Sequence, residues 1–312
     1  MSDKVFKNHN ELIDLLISRG VDINTPEAKS FAKKRLQHEG YYNLINGYKN
    51  LFLKDPLKDD YKEGTTINEI YSLFIFDQSL REIFLRHILK VERNIKCLIA
   101  YEFPQKYGHD NYLLYNNFDT NKKDANKNII SLLSDIQHQI AARSSDPSIS
   151  HYLNNYGYIP LWVLNNILSF GQISKFYFNM KQKDRQNISK TFKIMDSELE
   201  TLLKYLTSIR NCCAHNNRLY CFRSHDVMID TKYHTALNIQ KTDEFIYGKR
   251  DLFAAVIALK VLLPPSEFKR FIDDIKDAIK TITSELKVLT IDEILSNMGF
   301  PANWTSIRSM KK

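Results

Sequence analysis

The side chains best suited to acid–base chemistry are concentrated at positions 208–218, in the sequence SIRNCCAHNNR. Cleaving RNA without a metal ion needs a base that takes the 2′-hydroxyl proton and a cation beside the phosphorane oxygens. His215 would supply the base and Arg210 the cation. The residue types in this stretch therefore suit the cleavage of an RNA phosphodiester.

The helix that carries this stretch is predicted to span residues 198–219, and it has an apolar stripe formed by Leu199, Leu202, Leu203, Leu206 and Ile209. Asn211, His215 and Arg218 would share one face, whereas Arg210 and His215 lie about 140° apart on an ideal helix. Arg210 must reach around the helix, the helix must loosen near its end, or two copies must meet. In the last case dimerisation becomes part of the mechanism.

The candidate catalytic residues are therefore Arg210, Asn211 and His215, with Asn217 and Arg218 as candidate RNA contacts. Two further pairs, Arg81 with His87 and Arg218 with His225, also have four to six residues between arginine and histidine. In neither pair does an amide residue follow the arginine directly. We interpret these pairs as a solvated helix face and a loop histidine.

Four polar residues on a long predicted helix, Asp77, Arg81, Glu92 and Arg93, are candidates for supporting the Arg210 helix. The competing interpretation is ordinary surface pairing, since Asp77 and Arg81 have the i, i+4 spacing of exposed helix ion pairs. Tyr41, Tyr42 and Tyr48 could stack on bases. An aromatic segment between two glycines is, however, more often packed against a core.

Capping signals and apolar periodicity predict an all-α fold. Thr25-Pro26 and Thr66 are typical helix starts, and Gly20, Gly40 and Gly108 are typical helix ends. We place a boundary near Lys62, between an N-terminal helical segment (1–61) and a helical core with C-terminal helices (62–312). The predicted helices cover 11–19, 26–38, 67 to about 103 (ended by Pro104 and Gly108), the region up to about 143, 160 to a pause at 171, 198–219, 252–263 and 267–289, with a loop at 144–148.

Charge and cysteine content narrow the classes of partner and compartment. The net charge of +8 suits a phosphate-bearing partner. Cys97, Cys212, Cys213 and Cys221 lack paired C-x-x-C spacing, and neighbouring cysteines on a helix point about 100° apart, which opposes a metal site that includes His215. We expect no metal and no cofactor. The first residues lack a leader pattern, and no long apolar run follows, so we expect a cytoplasmic protein without a membrane partner.

The pattern R-N-x-x-A-H-N-x-R at 210–218 resembles the active-site signature of HEPN ribonucleases in the AbiD/AbiF-like abortive-infection family. Further blocks resemble the same family over nearly the whole chain. They are GYYNL at 40–44 with Gly47-Tyr48, Phe76-Asp77 with Leu80-Arg81, VER at 91–93, PLW at 160–162, LSFG at 168–171, and MGFP at 298–301 with Trp304.

This resemblance implies a HEPN-like helical bundle with additional N-terminal and C-terminal helices. It also implies a homodimeric site of paired Arg/His motifs, an RNA substrate, a 2′,3′-cyclic phosphate product, action against phage, and an antitoxin RNA or protein as regulator. Cys212-Cys213 departs from the family pattern without removing a chemical group. Two alternatives stay open: an RNA-binding regulator that does not cleave, and a toxin–antitoxin partner protein.

Overall fold

The computed structural model describes residues 5–55 and 58–311, and 66% of the chain is helical. Within these ranges the only β pairing consists of isolated bridges. The all-α prediction is therefore confirmed. In chain order the helices are α1 (His9–Ser18), α2 (Pro26–Glu39), α3 (Ile67–Tyr107), α4 (Ala125–Ala142), α5 (Pro147–Tyr156), α6 (Leu161–Leu164), α7 (Phe170–Asn179), α8 (Gln182–Lys190), α9 (Asp196–Ala214), α10 (Lys232–Ala236), α11 (Leu252–Leu262), α12 (Pro265–Thr283) and α13 (Ile291–Asn297).

Helix α3 is the centre of the fold, and α6, α7, α8, α9, α11 and α12 all pack against it. Thr66 begins this helix, because its hydroxyl accepts a hydrogen bond from the Glu69 amide at 3.2 Å. Apolar side chains spaced three and four residues apart then give α3 buried surface along its length. Helix α11 packs beside it and is buried at every position. All of its residues are apolar except Lys260, whose Nζ donates to the Met310 carbonyl at 2.6 Å.

Several predicted helix boundaries need correction. Helix α3 continues through Pro104, since a proline in the last turn removes only one backbone donor, and it ends at Gly108 with φ +87°. The loop predicted at 144–148 is interrupted by α5, which starts at Pro147. The helix predicted from Pro160 is two helices, because Ser169 and Gln172 form a capping box that starts α7 before Gly171.

The final segment leaves its predicted helix early and is held by a buried carboxylate. Helix α12 ends at Thr283, not near Leu289. The amides of Lys287, Val288 and Leu289 donate to one oxygen of Glu69, at 3.0, 2.9 and 2.9 Å. Three amides directed at one buried acceptor compete with continuation of the helix.

The N-terminal segment is attached to the chain just before α3. The Asp22 amide donates to the Thr65 carbonyl at 2.7 Å, and within the segment the Tyr61 amide donates to the Arg19 carbonyl at 3.0 Å. Its apolar residues belong to the same hydrophobic cluster as those of α3. Within the described ranges, no helix has both the length and the apolar character needed to cross a membrane.

Candidate active site

The motif helix α9 ends earlier than predicted, at Ala214 instead of residue 219. The reason is Asn216, which has the left-handed backbone angle φ +54°. The Asn216 amide donates to the Cys213 carbonyl at 3.3 Å, and the Asn217 amide donates to the Cys212 carbonyl at 2.9 Å. This is a Schellman ending with asparagine in the position that glycine usually occupies. Arg218 therefore does not share a helix face with Asn211 and His215.

Asp77 fixes the chain that follows this ending, and its side chain is 0% exposed. One carboxylate oxygen accepts hydrogen bonds from the amides of Leu219 and Tyr220, at 2.9 and 2.6 Å. The other oxygen accepts from the Tyr48 hydroxyl at 2.7 Å and from Arg81 Nη1. Burial raises the pKa of the Asp77 carboxyl, and Arg81 with the three other donors opposes that rise.

The interpretation of Asp77 and Arg81 as a surface pair was wrong. Both side chains are buried, and they connect α3 to the motif and to the N-terminal segment. The interpretation of Arg81 and His87 as a solvated face was also wrong, because His87 is buried and lies 3.3 Å from an Asp274 carboxylate oxygen. Arg81 therefore pairs with Asp77, whereas His87 lies beside Asp274.

His215 opens into a cleft of about 600 Å³, which we call the histidine cleft. The His215 side chain is exposed. Three parts of the chain line this cleft: Glu39, Tyr42, Asn43, Gly47 and Tyr48 from the N-terminal segment, Phe74, Gln78 and Arg81 from α3, and His215, Asn216, Asn217 and Arg218 from the end of α9. The cleft combines one imidazole with two guanidinium groups and several amides. These are groups that hold phosphates and base edges.

Arg218 joins the motif to the N-terminal segment. Its Nη1 donates to the carbonyls of Asn46 and Gly47, at 3.4 and 3.3 Å. The Tyr220 hydroxyl also donates to the Gly47 carbonyl, at 3.2 Å. A Cβ at Gly47 would lie 3.4 Å from Arg218 Cδ, which is van der Waals contact, so the Arg218 side chain lies directly against this segment. The N-terminal segment is therefore part of the site's own scaffold.

Arg210 lies in a different cleft, which we call the arginine cleft, with a volume of about 490 Å³. Its lining includes Glu92, Lys96, Asp135 and Arg143. Glu92 pairs with Lys96 at 2.9 Å. Arg210 Nε and Glu92 Oε2 are buried, and neither has a hydrogen-bond partner within the described part of the chain. Glu92 and Arg210 thus line the same cleft, and the structure does not bring Arg210 to His215.

The remaining predicted residues occupy simpler positions. Asn211 is exposed on α9, and Arg93 is exposed on α3. Cys212 and Cys213 are buried, and burial raises the pKa of each thiol to about 12. The thiol of Cys212 donates weakly to the carbonyls of Asn217 and Arg218, both at 3.6 Å. The two cysteines therefore act as packed small side chains that stay protonated.

A sequence model of a protein family described as Abi-like protein matches residues 34–221. The chain belongs to this family. The matched range includes α3, α9 and every residue that lines the two clefts, and it stops before α10. Neither a search of curated proteins nor a search of solved structures returned a match. Membership of the Abi-like family suggests a role in abortive-infection defence.

Sequence reasoning did not identify Glu39, Asn43 and Gln78 as part of the site. They lie far from the motif in sequence, and they meet it only because the N-terminal segment and α3 line the same cleft as the end of α9. The aromatic residues of the Gly40–Tyr48 segment are evident in the sequence. Which of its tyrosines face the cleft depends on tertiary contacts.

Proposed function

We propose that this Abi-like protein is a HEPN-type endoribonuclease toxin of anti-phage defence that cleaves RNA without a metal ion. The observation that carries the proposal is His215 exposed in a polar cleft with Arg218 and Arg81. An imidazole beside guanidinium groups provides a base and a stabilising positive charge in one place. A net charge of +8 favours RNA binding through release of counterions.

In the proposed reaction, the His215 imidazole takes the proton of the RNA 2′-hydroxyl. The 2′-oxygen then forms a bond to phosphorus, while the bond from phosphorus to the 5′-oxygen breaks. The departing 5′-oxygen receives a proton from the imidazolium or from water, leaving a 2′,3′-cyclic phosphate and a 5′-hydroxyl. Arg218 and Arg81 stabilise the added charge on the phosphorane oxygens.

Arg210 enters this proposal through a second copy of the chain. Since α9 is regular up to Ala214 and Arg210 lines the arginine cleft, one chain does not bring Arg210 to His215. A homodimer that packs the ends of two α9 helices together could place Arg210 of one chain near His215 of the other. Light scattering across a dilution series, with activity measured in parallel, tests this; a fully active monomer contradicts it.

The direct test is cleavage of total RNA in EDTA by wild type and by His215→Ala. Removing a general base typically lowers the rate about a hundredfold or more, and the variant should keep its helical circular dichroism because His215 is exposed. Formation of 2′,3′-cyclic phosphate ends is the expected chemical signature. Cleavage that is equal in both proteins would remove His215 from the mechanism.

One observation favours a second candidate, an RNA-binding regulator without cleavage. Arg210 and His215 occupy separate clefts in one chain, so the pair could hold RNA at two points instead of acting on one phosphate. RNA that is bound but left intact by the wild-type protein would support this role. An antitoxin RNA or protein remains the proposed regulator in either case.

A further inference from the structure

The three tyrosines of the Gly40–Tyr48 segment have different environments. Tyr48 is buried, and its hydroxyl donates to Asp77. Tyr41 is partly buried, and its hydroxyl accepts a hydrogen bond from Arg19 Nη1 at 3.1 Å. Tyr42 is 71% exposed and lines the histidine cleft. Packing therefore explains Tyr41 and Tyr48 but leaves the exposed ring of Tyr42 unexplained.

Tyr42 also lies where the backbone departs from ordinary helix. A short π-helix spans Tyr42–Asn46, directly after the end of α2 at Glu39 and a Gly40 with φ +75°. Such π-helical turns are rare in proteins, and those that occur are often found at functional sites. Glu39 and Asn43 line the cleft beside Tyr42. Together these three side chains form what we call the N-terminal wall.

The N-terminal wall and the motif side of the cleft carry complementary chemistry for a nucleotide. An exposed aromatic ring offers a face on which a base can stack, and a carboxylate and an amide offer acceptors and donors for its edge. The motif side presents His215 and Arg218, which suit a phosphate. A cleft of about 600 Å³ has the size of sites that hold small organic ligands.

We propose that the N-terminal wall is a nucleobase subsite, in which Tyr42 stacks on an unpaired base next to the phosphate that is cut. This inference rests on the proposed ribonuclease function and names its substrate class as single-stranded RNA. In a duplex the base faces are already stacked on one another, so they are not free to stack on Tyr42. Glu39 and Asn43 then contact the edge of the same base.

The wall is fixed relative to the motif. The carbonyls of Asn46 and Gly47 accept from Arg218, and the Gly47 carbonyl also accepts from the Tyr220 hydroxyl. Asp77 binds Tyr48 on one side and the amides of Leu219 and Tyr220 on the other. Because both sides share these contacts, a base on Tyr42 would be held at a set distance from His215.

The test measures binding of 2′-O-methyl RNA, which lacks the attacking hydroxyl and so stays intact with the wild-type protein. Fluorescence anisotropy compares a short single strand with the same strand in a duplex. Because stacking of a base on an aromatic side chain adds to the affinity, Tyr42→Ala should bind the single strand about 5-fold to 100-fold more weakly than wild type. Tyr42→Phe and Tyr42→Trp should bind within about twofold of wild type, since each keeps an aromatic face.

The matched control is Tyr101→Ala. Tyr101 is 66% exposed on α3, about 30 Å along the helix from Arg81 at 1.5 Å per residue. This variant should bind like wild type. A second arm uses single strands with one abasic position moved along the sequence. When the abasic position is the one whose base would stack on Tyr42, wild-type binding should weaken. Binding by Tyr42→Ala should not change, because this variant has no ring on which that base could stack.

These measurements distinguish a failure of the ribonuclease proposal from a failure of the base subsite. If wild type leaves ordinary RNA intact while the Tyr42 effect on single strands persists, the ribonuclease proposal fails and the base subsite stands. If RNA is cleaved but Tyr42→Ala binds single strands like wild type, the subsite is overturned. It is also overturned if Tyr42→Phe loses as much affinity as Tyr42→Ala, if duplex and single strand are affected equally, or if no RNA binds.

Discussion

The strongest structural prediction concerns Asp77, whose carboxylate receives four hydrogen bonds in a buried position. The substitution Asp77→Asn preserves the shape of the side chain but removes its charge. One oxygen can still accept from the amides of Leu219 and Tyr220. The new NH₂ group then faces Arg81, which is also a donor.

The expected cost follows from the burial of the partner. Arg81 keeps its positive charge but loses its anion in a site where its side chain is 8% exposed. Breaking a buried ion pair by removing one partner typically costs about 3–5 kcal/mol. That is a large part of the roughly 5–15 kcal/mol by which proteins of this kind are stable.

Urea unfolding followed by far-UV circular dichroism measures this change. The matched control is Glu244→Gln, which neutralises an acidic residue whose carboxylate lies 3.4 Å from Arg250, with both side chains nearly half exposed. Exposed pairs contribute less than about 1 kcal/mol. The double variant Asp77→Asn/Arg81→Met should be less destabilised than the sum of its two single variants, because it removes the unpaired charge.

Two results would refute this reasoning. One is a loss for Asp77→Asn no larger than that for Glu244→Gln, which would mean that water or another group replaces the carboxylate. The other is strict additivity in the double variant, which would show that Asp77 and Arg81 contribute independently.

Single substitutions at Asn216, Asp251 and Arg218 test three other features of the structure. Asn216→Gly should leave stability unchanged, whereas Asn216→Ala should cost about 1 kcal/mol in urea unfolding because of the positive φ; equal effects would contradict the helix-ending role. Burial raises the pKa of Asp251 from 3.8 to about 6. The contribution of the protonated Asp251 carboxyl to the free energy of unfolding is therefore present below pH 3.8 and is lost as pH rises through 6. Between about pH 4 and pH 7, the free energy of unfolding of Asp251→Asn should therefore rise by up to roughly 3 kcal/mol relative to that of wild type. Parallel curves of stability against pH for the two proteins would exclude this. Arg218→Ala should weaken RNA binding, reduce its salt slope by about 1 and lower turnover, whereas an unchanged salt slope would show that Arg218 does not contact a phosphate.

Local signals predicted much of the fold. The start of α2 at Pro26 and its end at Gly40 were both predicted, and so was the start of α3 after Thr66. Each of these depends on contacts within a few residues, such as a side chain that caps an amide or a glycine that takes a positive φ. The early end of α12 was not predictable in this way, because it depends on Glu69, more than 200 residues away.

The candidate site was predictable in its residue types but not in its arrangement. The motif stood out because Arg210, Asn211 and His215 are close in sequence, yet Arg210 and His215 open into different clefts. The helix predicted over 198–219 includes Asn216, although asparagine is among the few residues that adopt the left-handed conformation readily. Asp77 was identified as a candidate support, but its burial was not foreseen.

The two clefts narrow the ways in which the motif could work. Arg210 could meet His215 if the helix loosened, if Arg210 reached around it, or if two chains came together. The helix does not loosen, since α9 stays regular to Ala214 and ends in a Schellman motif. Reaching around the helix conflicts with the position of Arg210 Nε, which is buried in the arginine cleft. An imidazole and two guanidinium groups already line the histidine cleft of one chain. Arg210 can therefore act in the histidine cleft only when a second chain supplies it, since within one chain it lines the arginine cleft with Glu92.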